Sequence, residues 1–154
     1  MMQKIENLAP LLLKIAVIVL AITGVFAFGF VGYNVIRGLI EGGGVWFVYP
    51  LFIIFMVSCI PFVYAMIPSY RLVERIENDS FFDHRSLLEL THIMISGALV
   101  GLLFLIEMPF WYLVAQWDDA PGLIVIMGFI MGLAFTVSFF AMALKKIVRS
   151  GMGR

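Results

Sequence analysis

Glu107 is the residue best placed to do chemistry, because it is a carboxylate set well inside an apolar stretch. A charge at mid-bilayer costs about 2.5–3.5 kcal/mol on insertion scales, so a carboxylate there faces protein or water and points to function. Glu107 lies toward one end of its stretch, where that cost is lower. Pro109, two residues on, frees a backbone carbonyl for other contacts. Two roles fit: a structural polar contact, or a ligand or proton site. Lys14 is at the wrong depth to be its partner.

The other reactive side chains are sparse. Cys59 is the single cysteine and lies in an apolar block, which excludes an internal disulfide or a CxxC relay. His84 and His92 are eight residues apart, with Asp83 and Glu89 nearby. A metal site needs three or four converging ligands, so the histidines read as solvated or interfacial and no metal is expected. No Walker loop, HExxH motif or nucleophile–base spacing occurs, so neither a cofactor nor enzyme activity is expected.

The elements that carry these residues follow from composition. The 154 residues are 63% apolar and 13% charged, with a mean hydropathy of +1.08. Soluble domains are about 45–50% apolar and about 25% charged, so this chain cannot cover a globular surface with polar groups. Its apolar residues come in four blocks, at 11–31, 46–67, 93–114 and 121–144. Each is long enough for the ~20-residue helix that crosses hydrocarbon. The first exceeds the 7–15-residue core of a cleaved signal, despite a loose cleavage-like Ala27-Phe28-Gly29, and reads as a retained span. The sequence therefore predicts one all-α membrane domain over 1–154, a four-helix transmembrane bundle.

Direction follows from the basic residues. Nine of the ten lysines and arginines fall before span one, at its start, between spans two and three, or after span four; Arg37 stands alone on the other side. Positive charge stays in the cytoplasm, so both termini and the middle loop are expected there. Net charge is zero, which leaves no global field to recruit nucleic acid directly. Trp46, Tyr49, Trp111, Tyr112 and Trp117 are expected to form the outer aromatic belt. Asp118, Asp119 and Pro121 look like the capped start of the fourth helix. Gly42-Gly43-Gly44 reads as a flexible end to the first. Gly97 with Gly101, and Gly128 with Gly132, are GxxxG pairs suited to close packing within the bundle or to a homodimer.

Residues 69–92 are the longest polar stretch. Leu72, Val73 and Ile76 recur at helical spacing among charges, so span two should continue beyond the membrane. Asn78-Asp79-Ser80 is turn chemistry, and Asp83 is a suitable N-cap for the next helix. The result is a cytoplasmic helical hairpin tipped by Phe81 and Phe82. Those rings either tuck back onto the hairpin or, with Arg71 and Arg75 along its flank, form a partner-binding surface.

Met108-Pro109-Phe110, Tyr112-Leu113-Val114-Ala115 and above all Asp118-Asp119-Ala120-Pro121-Gly122 resemble a family of small four-span bacterial membrane proteins, the domain-of-unknown-function family numbered 2975. Ile60-Pro61-Phe62, Asn78, Phe81 and Ser86 match more loosely. The resemblance implies a location in the bacterial plasma membrane and a partnership with a small helix-turn-helix DNA-binding protein. It implies a component that restrains such a regulator or reports to it, and it carries over no catalytic residue. Two other functions remain open: a small transporter or ligand sensor using Glu107, and an immunity or envelope-stress protein meeting a toxic peptide through its Asp118-Asp119 loop.

Overall fold

Helices that cross hydrocarbon bury nothing by leaving water, so their association depends on close van der Waals fit and a few polar contacts. In the computed structural model, which describes residues 2–42 and 45–153 with side chains from Leu8 onward, four helices obey that rule. They are α1 (Met2–Ile40), α2 (Val48–Glu77), α3 (His84–Trp117) and α4 (Gly122–Met152). All four are long and apolar enough to cross a membrane. Each packs on its neighbour in sequence, α1 on α2, α2 on α3 and α3 on α4, and among the described residues no other pair of helices brings Cα atoms within 8 Å. The bundle is therefore open on the side where α1 and α4 face each other.

α3 lies at the centre and carries most of the buried side chains. Its seam with α4 is set by glycine: a Cβ on Gly97 would lie 3.1 Å from the Ala134 carbonyl and 3.3 Å from the Ser138 backbone nitrogen. Ser138 Oγ donates across the same seam to the Met94 carbonyl at 2.7 Å. Gly101 makes room for the Phe135 ring. This GxxxG pair thus serves internal packing, whereas Gly132 of the second pair faces open space. The seam with α2 is aromatic, with Phe55 stacked edgewise on both Phe104 and Trp111 at 6.3 Å between ring centres.

The helices overrun the spans read from sequence. At 1.5 Å per residue, α2 and α3 are each roughly 45–50 Å long, against a hydrocarbon core of about 30 Å. The surplus of α2, α3 and α4 falls at one end, which carries Arg71, Arg75, Arg85, Lys145, Lys146 and Arg149. There Leu72, Leu87, Leu90, Ile93, Ala141 and Val148 form a separate core, with Phe81 and Leu144 against it. So 69–92 is not a free-standing hairpin; the tail of α4 completes it as a three-helix stub. The sequence hides this because Leu144, Val148 and Gly151 lie among charges that read as a solvated tail.

The turn between α2 and α3 matches its expected chemistry. Asn78 ends α2, Asp79 takes a left-handed φ of 51°, and Ser80 N–H returns to the Arg75 carbonyl at 2.9 Å. Asp83 caps α3, its carboxylate accepting from His84 N–H at 2.7 Å. α2 starts two residues later than its apolar block, because Val48 N–H bonds to the Val45 carbonyl in a turn through Trp46 and Phe47. The glycine loop is seen only at Gly42, with φ of 83°; Gly43 and Gly44 lie outside the described residues.

Candidate functional site

Two places in the fold gather the residues singled out by sequence. The first is the tip of the basic-end stub. Phe81 is tucked against the Leu72–Leu90 core, and Phe82 meets it edge to face at 5.4 Å. Phe82 rests over Gly151 of α4, where any Cβ would collide with its ring at 2.6 Å. Its outer face is open, leaving the side chain 58% exposed. Arg75 reaches the Asp83 carboxylate at 3.6 Å and is only 20% exposed, so it braces the tip. Arg71 is 61% exposed and lies 3.7 Å from Glu89. Of the four residues weighed as a partner surface, Phe81 and Arg75 are therefore partly buried, while Phe82 and Arg71 stay exposed. Phe81 thus takes the tucked-back arrangement, because α4 supplies the wall against which its ring can pack.

The second place is Glu107, fully buried on the central helix. One carboxylate oxygen accepts from the Trp111 indole N–H at 2.9 Å. The other has no hydrogen-bond partner among the described residues. Trp111 was expected in the aromatic belt, but only Trp46, Tyr49, Tyr112 and Trp117 face outward. Burial turns its ring onto Phe55, and an indole N–H so placed needs an acceptor. The four-residue spacing of Glu107 and Trp111 was the available signal, since such pairs face each other on a helix. Lys14 pairs with Glu77 instead and lies 5.8 Å from the centre of the Tyr70 ring.

Asp118 and Asp119 do not cap α4. Its N-cap is Pro121, with no side-chain hydrogen bond. They close α3 instead: Asp118 is the C-cap, Asp119 sits at φ 51°, and Ala120 N–H reaches the Ala115 carbonyl at 2.9 Å. This is a Schellman closure, the same device that ends α2 at Asn78-Asp79. A left-handed site disfavours residues other than glycine, asparagine and aspartate by about 1–2 kcal/mol. Asp119→Gly should accordingly leave the melting temperature equal or higher, while Asp119→Val should cost about 1–2 kcal/mol. A destabilised glycine variant would rule out this role.

His84 is exposed, and His92 lies 5.9 Å from the Tyr64 ring centre. Among the described residues, no three His, Cys, Asp or Glu side chains come together to hold a metal.

Four helices, each long and apolar enough to cross a bilayer, define a multi-pass membrane protein. Residues 44–153 match the family described as "Protein of unknown function (DUF2975)", and the chain belongs to that family. It is 31% identical over 104 residues to the "Uncharacterized membrane protein YoaS" of Bacillus subtilis (strain 168). That alignment covers 68% of this chain and 65% of the relative. No solved structure matches.

Proposed function

We propose that the protein is a membrane-bound regulatory protein that holds a small helix-turn-helix transcription regulator at the cytoplasmic face. The observation that carries this reading is the half-open Phe82 ring, seated on Gly151 at the tip of a stub that projects past the apolar spans. The placement of nine of ten basic residues supports a cytoplasmic stub. A rigidly seated aromatic beside charges is the usual form of a binding hot spot. Arg71 contributes steering more than affinity, because it is largely exposed.

The stub gives the test a built-in control. The protein, co-expressed with a small helix-turn-helix regulator from the same genome, should co-purify with that regulator. Phe82→Ala should weaken co-purification ten-fold or more with little change in melting temperature. Phe81→Ala should instead lower stability, by about 2 kcal/mol for a partly buried ring. Arg71→Gln should change the salt dependence of the complex. Undiminished binding by the Phe82 variant would sink the proposal, as would a cytoplasm-dependent reporter that stays silent when fused after Arg85.

A second reading is a small transporter or ligand sensor. It is favoured by the buried Glu107 oxygen that lacks a partner.

A further inference from the structure

α1 is fastened to the bundle unevenly. In its outer half Phe28 packs on the Phe55 and Phe62 rings of α2, with ring centres 4.7 and 5.7 Å apart. Gly24 and Gly32 let α2 come close: a Cβ on Gly24 would collide with the Phe62 ring, and one on Gly32 would lie 3.3 Å from the end of Met56. Phe28 and Val31 accordingly pack against the outer apolar core, whereas the core at the basic end draws on no described residue of α1. A groove of about 520 Å³ stands there instead. Leu13 and Val17 form its α1 wall, Phe140 and Leu144 its α4 wall, and Ile76 and Phe81 line it on the stub.

One polar contact holds this half of α1. Lys14 pairs with Glu77, the last residue of α2, and sits above the Tyr70 ring. Among the described residues it is the only hydrogen bond or ion pair that ties α1 to another helix. Lys14 is in helical register with Ala21, Gly24 and Phe28, and its side chain is only 20% exposed, so it lies on the covered face of α1. Tyr70 and Glu77, two turns apart on one face of α2, do not line the groove, while Ser69, Leu72 and Val73 do. The pair therefore holds α1 to a side of α2 turned from the groove. Ile76 and Phe81 lie beyond the apolar block of α2, where covering them removes apolar surface from water. The element on hand to cover them is α1, which is pivoted at Phe28 and stops short of α4. We infer that the basic half of α1 is a hinged arm, latched open by Lys14 and Glu77, which closes over the groove when that pair is broken and brings Leu13 and Val17 against Phe140 and Leu144. The device depends neither on the Phe82 surface nor on any partner.

The test uses the full chain in lipid nanodiscs, with Cys59 changed to Ser. Spin labels on Leu12→Cys and Met142→Cys, both exposed and off the groove, report the distance between α1 and α4 by double electron–electron resonance. The parent should give one long distance. Lys14→Gln should add a shorter one, as the two helices approach the about 8–10 Å separation of packed neighbours. A partly exposed ion pair and a cation over an aromatic face together shift a balance by about ten-fold, so the ratio of short to long should rise by about that factor. Exchanging the charges, Lys14→Glu with Glu77→Lys, should restore the long distance, which lost packing at position 14 could not do. If Lys14→Gln folds poorly, Glu77→Ala at the exposed end of α2 breaks the same pair from the other side. A short distance in the parent overturns the inference, as does a distance that stays the same or lengthens in the released variants. A charge-exchanged variant that remains closed overturns it too.

Discussion

Replacing Gly97 with valine is expected to cost about 3 kcal/mol of stability, the upper end of the usual range for overpacking. The reason is what the new side chain would meet. Its Cβ alone would sit 3.1 Å from the Ala134 carbonyl oxygen and 3.3 Å from the Ser138 backbone nitrogen. Those are main-chain atoms of α4, so no rotamer change can relieve the contact and the helices must part. Parting them also lengthens the hydrogen bond that Ser138 Oγ donates across that seam to the Met94 carbonyl. Two controls isolate the effect. Gly101→Ala meets only the edge of the Phe135 ring, which can rotate, and should cost under about 1 kcal/mol. Gly132→Val meets nothing and gains helix propensity, so it should be neutral or slightly stabilising. Reversible unfolding in detergent measures all three. A neutral Gly97 variant would mean that α3 and α4 do not pack as described.

The contrast between those two glycine pairs shows what could be read in advance. The four apolar blocks and the Asn78 and Asp83 signals were legible because each depends on a short, local pattern. The GxxxG spacing was equally visible in α3 and α4, yet only Gly97 and Gly101 lie in a seam. Which face of a membrane helix is internal cannot be read from apolarity, since lipid and protein are equally apolar. The same ambiguity placed Trp111 in the outer belt and left Glu107 without a partner. Asp118 and Asp119 failed for a different reason. A carboxylate before a proline fits a helix start, but aspartate also tolerates the left-handed turn that ends a helix. Four residues separate α3 from α4, too few for both devices, and the C-terminal closure wins. The sequence left Phe81 open between tucking back and facing a partner, because the wall it packs on comes from residues about sixty positions away on α4.

Glu107 is the residue whose replacement separates structure from chemistry most cleanly. Its geometry has two halves: one oxygen holds the Trp111 N–H, and the other touches no donor. Glu107→Leu removes the acceptor and strands a buried indole N–H, which should cost about 1–3 kcal/mol. Trp111→Phe is the reciprocal change and should cost a similar amount, since it strands the carboxyl group. The double variant, Glu107→Leu with Trp111→Phe, leaves neither orphan and should recover part of the sum, giving a coupling of about 1 kcal/mol or more. Glu107→Gln keeps the acceptor, because its amide oxygen takes the Trp111 bond and its NH2 group occupies the side that already lacked a partner. It should fold as well as the parent and, on the proposed regulatory reading, bind the helix-turn-helix partner within a few-fold. Flux is the discriminating readout. If Glu107 only orients Trp111, reconstituted parent and glutamine variant should be equally silent in a proton-coupled uptake assay. Uptake by the parent that vanishes with Glu107→Gln, at unchanged stability, would favour the transporter reading over the proposed regulatory one.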